Sequence, residues 1–307
     1  MSRRIRKHRR QKRKDRALRF LYQTRTGRML LKPLTCRPVS KASGKFLDSP
    51  MSKPLIKPFV RKNHIPLEDY YADDFHSFND CFTRKIREPL RPIDPAPEAF
   101  IAPCDGLLSV YPVQGDTVLP VKQSRYTLPD LLGGDKLAAR YRDGLCLVFR
   151  LCVDHYHRYC YVDSGSKGDN HFLPGKLHTV RPVALAAGPV FTQNCREYTV
   201  LNTDGFGPVT QVEVGAMLVG GVTHAGEPGR FPKGSEMGNF ELAGSTIVLL
   251  LTAQARCSLT FFPRFAPALE GAGEVAVSMG EGVGRRQKEA AAAATAALAG
   301  ENVPLSP

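Results

Sequence analysis

From about residue 98 onward the chain alternates short apolar runs with Gly and Pro turns. GLLSVYPV (106–113), GLCLVFRLCV (144–153), GPVTQVEVGAMLVGGV (207–222) and STIVLLL (245–251) are the clearest of these runs. Short runs of regular length, punctuated in this way, predict a mostly antiparallel β core. Residues 247–251 are an uninterrupted aliphatic series, the pattern of a strand buried on both faces. A small, flexible Ala-Gly-Ser-Thr step (243–246) precedes it directly.

The N-terminal third reads differently. In residues 17–34, Leu18, Phe20, Leu21, Tyr22, Met29, Leu30, Leu31 and Leu34 cluster between basic residues. That spacing predicts short helices with one greasy face and cationic flanks, suited to lying in a lipid interface or packing on the protein's own core. Pro50, Pro54 and Pro58 exclude a long helix over 46–63. Residues 68–86 run from an acidic start to a basic end, which predicts a helix. Together these patterns give an α+β class: a mostly antiparallel β core, sandwich- or barrel-like, preceded by N-terminal membrane-associating helices. Three regions follow: 1–64, basic and amphipathic; 65–285, the main domain; and 286–307, an Ala-rich low-complexity tail.

Charge sharpens this picture. The formal net charge is +14, and residues 1–19 hold eleven Lys or Arg against one acid, Asp15. Such a block is a tail for a polyanion, either nucleic acid or the anionic leaflet of a membrane. No nucleic-acid-binding motif accompanies it. No run reaches the ~20 apolar residues that span a bilayer, and no apolar signal segment follows the basic start. None of the eight cysteines forms a C-x-x-C pair, which argues against a zinc ribbon and for thiols in a reducing compartment.

Three places carry candidate chemistry. At Gly244-Ser245 the plain reading is a turn before a strand. The sharper one is self-cleavage, in which the serine hydroxyl attacks the preceding carbonyl, given a base and an oxyanion donor. Asp105-Gly106 is a turn signal before a strand. CVDHYHRYCYVDSG (152–165) concentrates Asp154, His155, His157 and Asp163 among tyrosines. Read as a strand, alternation puts His155, His157 and Tyr159 on one face, with an acid/base role favoured over a metal because no third ligand follows at a defined spacing.

Taken together, FNDCFTRKIREPLRPID (78–94), PCDG (103–106), YHRY (156–159), PGKLHTVRP (174–182), VEVGAMLVGGV (212–222) and KGSEMGNFELAGST (233–246) resemble the phosphatidylserine decarboxylase family, in that family's order. GEVAVSMGEGVG (273–284) is similar to its closing segment. The resemblance implies a self-cleaving proenzyme whose cofactor is a pyruvoyl group made from Ser245, with no metal and no pyridoxal phosphate. The cleavage site is Gly244/Ser245, leaving a large chain 1–244 and a small chain 245–307 as a heterodimer, with a homodimer as a further expectation. The implied activity converts phosphatidylserine to phosphatidylethanolamine and CO2 through a Schiff base, as a peripheral enzyme on the cytoplasmic face of the cell membrane.

By the same resemblance, Asp105 matches the aspartate of the self-processing triad and His157 the first histidine of the family's Y-H-R-x-H motif. Cys160 stands where that motif has the triad histidine. The processing base is therefore open among His157, His178, His224 and Cys160, the last as a thiolate of depressed pKa. Arg158, Lys176 and Arg196 are candidates for binding the substrate's carboxylate and phosphate. Alternative readings are a pyruvoyl decarboxylase of another serine phospholipid or an amino acid, a non-catalytic lipid-binding relative, and a nucleic-acid-binding protein.

Overall fold

The computed structural model describes residues 18–72, 74–121, 124–179, 184, 190–215, 221–241, 245–269 and 273–287. The basic block over 1–17, the Ala-rich tail beyond 287 and Gly244 lie outside the described residues.

An eight-stranded antiparallel sheet organises the molecule. Its strands lie in the order Gly229–Phe231, Gly165–Leu173, Arg196–Thr203, Gly207–Val214, Thr246–Leu251, Leu145–Arg150, Gly106–Pro112 and Val275–Val277. The order runs from one edge to the other without closing, so the sheet is open rather than a barrel. The apolar runs at 106–113, 144–153, 207–222 and 245–251 all contribute a strand, as their alternation with turn residues predicts. Three smaller sheets accompany it. One joins Ala99–Ile101, Gly282–Arg286 and Leu259–Phe261; a second joins Val222–His224, Glu236–Phe240 and Arg158–Cys160; a two-stranded ribbon joins Thr117–Val121 and Ser124–Thr127.

Thr246–Leu251 is central, and every residue in it is buried. Ile247, Leu249 and Leu251 enter one core with Leu147, Phe149, Tyr159, Met237 and Phe240. Val248 and Leu250 enter a second core on the opposite face with Leu128, Leu132, Tyr141, Tyr22 and Leu31. The continuous aliphatic run is thus explained by two-sided burial, each such side chain contributing about 1.5–3 kcal/mol. The Val222–His224 sheet covers the first face, and helix Leu128–Leu132 with the N-terminal helices covers the second.

The N-terminal third forms helices Arg25–Leu34 and Arg37–Asp48, a 3₁₀ turn Pro50–Leu55 and helix Ile56–Asn63. Thr24 caps the first by accepting a hydrogen bond from the Gly27 N–H at 2.9 Å. Pro50 and Pro54 divide the later part, as expected. The helix expected over 68–86 is corrected to a short helix, Phe78–Phe82, capped by Ser77. Tyr70 pairs instead with Ile86 in an antiparallel bridge, and the Tyr71 N–H donates to the Lys85 carbonyl, so the segment folds back on itself. A second correction concerns 152–160. Only Arg158–Cys160 is strand, while His155 sits on a turn closed by its N–H donating to the Cys152 carbonyl.

Candidate active site

Ser245 sits immediately before the central strand and is completely buried. Its carbonyl accepts the Leu151 N–H at 2.9 Å, which extends the pairing of Thr246 with Arg150 by one residue. On the other side Thr246 pairs with Val214, so the backbone facing Ser245 is that of Gly215. Across the strand Leu145–Arg150, Leu107 pairs with Arg150, which puts Asp105-Gly106 at the same end of the sheet. With adjacent strands about 4.8 Å apart, the backbones at 245 and 106 lie roughly 10 Å from one another.

Asp105 is held tightly. Arg91 Nε and Nη2 donate to its two oxygens at 2.7 and 2.6 Å, and the Met279 N–H donates to Oδ1 at 2.9 Å. Its loop also meets Cys160, whose N–H donates to the Pro103 carbonyl at 2.8 Å. The structure therefore brings Asp105 and Cys160 together. Burial pushes the Cys160 thiol up to about 12, and the nearby Asp105 charge adds to this. That is opposite in direction to what a thiolate base requires.

His157 is fully buried against Phe82, with ring centroids 4.1 Å apart. Its Nδ1 lies 2.9 Å from the His155 carbonyl. A carbonyl only accepts, so Nδ1 carries the proton and the lone pair is on Nε2, which has no hydrogen-bond partner. Burial, with the Arg84 charge beside it, lowers its pKa to about 3 and keeps the ring neutral. Arg84 itself is buried and donates to the carbonyls of Cys81, Phe82, Asp154 and His155. His155 turns the other way: its Nδ1 accepts the Cys152 N–H at 3.1 Å, and burial lowers its pKa while the charges of Asp154 and Asp105 raise it. Cys152, Asp154 and His155 hold one ligand-capable atom each within 4.8 Å of one another. The sulfur is already engaged, since Arg150 Nη1 donates to Cys152 Sγ at 3.4 Å.

The remaining expected residues are dispersed. His178 meets Tyr22, with Nδ1 3.3 Å from its hydroxyl, and its N–H donates to Asn194 Oδ1 at 2.9 Å. Asn194 Nδ2 then donates to the Gly215 carbonyl at 2.7 Å, which leaves His178 one layer removed from Ser245. Arg158 pairs with Glu236 at 2.6 Å and donates to the Thr83 carbonyl. Arg196 is buried and gives its guanidinium to the carbonyls of Leu131, Thr192, Asn194 and Asp130, where it clamps a helix to the sheet. Lys176 is exposed.

Beside Gly215 a cleft opens between the sheet and helix Arg37–Asp48, lined by Ser40, Lys41, Glu197, Glu213 and Gly221 among others. Glu213 pairs directly with Ile247, so its side chain leaves the sheet on the face that Ile247 occupies. It is completely buried; Gln211 Nε2 donates to its Oε1 at 2.8 Å, and its Oε2 has no partner. Burial raises its pKa to about 7. His224 Nε2 lies 2.6 Å from Glu197 Oε2, while His224 Nδ1, Gln211 Oε1, Ser40 Oγ and the Tyr159 hydroxyl have no hydrogen-bond partner. Tyr159 can sit there because residue 238 is glycine, where a Cβ would meet its hydroxyl at 2.5 Å. Glu213, Gln211, Arg91 and Arg84 escape a reading of motifs. The signal for the first two was an acid and an amide alternating with valines in TQVEV, a polar face on a central strand.

Residues 78–285 match the family model described as phosphatidylserine decarboxylase. The chain is 43% identical over 239 residues to a "phosphatidylserine decarboxylase proenzyme 2" of Clostridium acetobutylicum, covering 77% of this chain and 81% of that protein. It is 36% identical over 240 residues to a "phosphatidylserine decarboxylase proenzyme" of Clostridium botulinum, covering 76% and 81%. A protein of the same name from Desulfitobacterium hafniense is 33% identical over 280 residues, covering 89% of this chain and 93% of its own length. With the buried serine heading its central strand and the match extending over the whole described β core, the chain belongs to the phosphatidylserine decarboxylase family.

Proposed function

We propose that this chain is made as one precursor, cuts itself between Gly244 and Ser245, and then converts phosphatidylserine to phosphatidylethanolamine and CO2 at a membrane surface. The observation that carries the reading is Ser245 itself: a fully buried hydroxyl at the head of a strand buried on both faces, with its carbonyl pinned by Leu151. In the cleavage, the Ser245 oxygen bonds to the Gly244 carbonyl carbon and the Gly244–Ser245 C–N bond breaks, giving an ester. Loss of the Ser245 α-proton then expels residue 244 as a carboxylate. Water converts the dehydroalanine left behind into a pyruvoyl end and releases ammonia. Six strand residues keep the new chain end in the sheet after the backbone is cut.

The surroundings fit such a group: His157 Nε2 and the Tyr159 hydroxyl are buried with no partner among the described residues, and the His157 carbonyl accepts the Phe240 N–H just upstream of the cleavage site. The pyruvoyl group supplies a carbonyl for the substrate's amine and a sink for the electrons left when CO2 departs. His157 handles the proton: its neutral ring, with the lone pair on Nε2, is the free base that the fold preserves, in self-cleavage and in the reaction that follows. Asp105, gripped by Arg91, accepts the Met279 N–H and so ties that turn to its own loop, where the Pro103 carbonyl accepts the Cys160 N–H.

The N-terminal helices serve as the dock. Phe20, Met29, Leu30, Phe46, Met51 and Leu55 all expose their side chains to solvent, between Arg25, Arg28, Lys32, Lys41, Lys45 and Lys53. Apolar insertion together with cationic attraction is the two-signal basis of stable surface binding. Among the described residues, no helix is long and apolar enough to cross a membrane.

Mass spectrometry of the purified protein tests the reading. Two chains are expected, the smaller beginning at position 245 and blocked to Edman degradation; active protein found as one intact chain would overturn it. Ser245→Ala is expected to stay intact and to release no CO2 from phosphatidylserine vesicles.

A further inference from the structure

Between the central sheet and the small sheet that covers it lies a group of polar atoms with nothing to bond. Glu213 Oε2, Gln211 Oε1, His224 Nδ1 and the Tyr159 hydroxyl are all buried and find no hydrogen-bond partner among the described residues. Leaving such atoms dry is expensive, so each calls for an explanation. Three of the four offer only a lone pair, and the Tyr159 hydroxyl can accept as well as donate. Glu213 Oε2 and Gln211 Oε1 accept by nature, and His224 Nδ1 holds its lone pair when Nε2–H donates to Glu197. A pocket of surplus acceptors calls for a donor-rich occupant. The cleft lined by Glu213, Glu197, Gly215 and Gly221 leads to it, with exposed Lys41 at its rim. Gly215 is also the backbone opposite Ser245.

We propose that Glu213 is the amine-recognition and amine-deprotonating residue of this enzyme, seating the primary ammonium of the serine headgroup against the Glu213, Gln211 and Tyr159 side chains. The inference rests on the decarboxylase reading. An ammonium offers three N–H donors, which match the orphaned acceptors, and its charge offsets that of the buried carboxylates. Lys41 at the rim offers a cationic partner for the headgroup phosphate. The proton transfer is simple: one N–H bond of the ammonium breaks, its proton passes to Glu213 Oε2, and the neutral amine keeps the electron pair it needs as a nucleophile. Burial prepares Glu213 for this, since a carboxyl that titrates near neutrality accepts a proton far more readily than a solvated one. The titratable groups that face it are Glu197, paired directly with it on the neighbouring strand, His224 and Tyr159 from the covering sheet, and Tyr161 just beyond that sheet's strand.

Glu213→Gln tests this, because it keeps the shape and the bond to Gln211 but removes the charge and the basic oxygen. The variant is expected to cleave into two chains as the parent does and to lose about 100-fold or more in kcat/KM on phosphatidylserine. The parent's kcat/KM is expected to fall as pH drops below about 7, where Glu213 becomes protonated, and this limb should vanish from the residual activity of the variant. Tyr159→Phe removes only the hydroxyl and is expected to raise KM about fivefold with cleavage intact; it provides the test if Glu213→Gln does not fold. A cleaved Glu213→Gln with the parent's kcat/KM and pH profile, or Tyr159→Phe with an unchanged KM, overturns the inference while leaving the decarboxylase reading standing. A parent protein that neither cleaves nor acts on phosphatidylserine overturns that reading itself.

Discussion

At the scale of single residues, the decisive contrast is between two neighbours in YHRYC. The resemblance sets Cys160 at the family's histidine position, with His157 three residues earlier, yet their environments prepare them for opposite fates. The thiol is buried beside an acid, which holds it neutral. The imidazole is buried beside Arg84, which also holds it neutral, but a neutral imidazole is a base and a neutral thiol is not. Cys160→Ser should therefore cleave within a few-fold of the parent rate, timed by the appearance of two bands on a denaturing gel. His157→Gln should slow decarboxylation by a factor on the order of 10²–10⁴. A Cys160→Ser protein that stays intact would return the proton-accepting role to the thiol.

At the scale of elements, the central strand Thr246–Leu251 has two duties. It seals both cores, and it keeps the residue in front of it where backbone chemistry can occur. Leu249 sits mid-strand on the face shared with Phe149 and Met237, and it is fully buried. Leu249→Ala should cost about 2–5 kcal/mol of unfolding free energy. The measurement belongs in the uncleaved Ser245→Ala background, where a single chain unfolds and denaturant melts can be compared directly. A loss below about 1 kcal/mol would mean that the strand is not the anchor described. The same strand explains why cleavage need not release the small chain: its partners Leu145–Arg150 and Gly207–Val214 both precede residue 244 and hold it from either side.

At the scale of the whole molecule, six of the ten large apolar side chains exposed among the described residues lie between residues 20 and 55, interspersed with basic residues. A combined Met29→Gln, Leu30→Gln and Met51→Gln variant removes three exposed apolar side chains without touching either core. Its binding to vesicles containing phosphatidylserine should weaken about tenfold or more, because each lost apolar insertion is worth on the order of 1 kcal/mol. Raising the salt should weaken binding of both proteins through screening. Co-sedimentation with vesicles checks both points, and equal binding by parent and variant would place the dock elsewhere.

The chain's own pattern determined its β core, the two-sided burial of residues 247–251 and the serine that heads them, because burial and turn chemistry leave their marks within a few consecutive residues. The family motifs likewise marked Asp105, His157 and Ser245. Only the tertiary structure decided the partners. That Arg91 holds Asp105, that the His155 carbonyl sets the proton on His157 Nδ1, and that Arg196 is spent on four carbonyls depend on segments far apart in the chain or on a turn that alternation alone read as strand. Residues 68–86 showed the same limit, since a pairing between Tyr70 and Ile86 outweighed their helical charge pattern. The acceptor-rich pocket around Glu213 is the fullest case. Four residues from three strands meet around one buried spot, and local sequence carries no record of which atoms find no partner there.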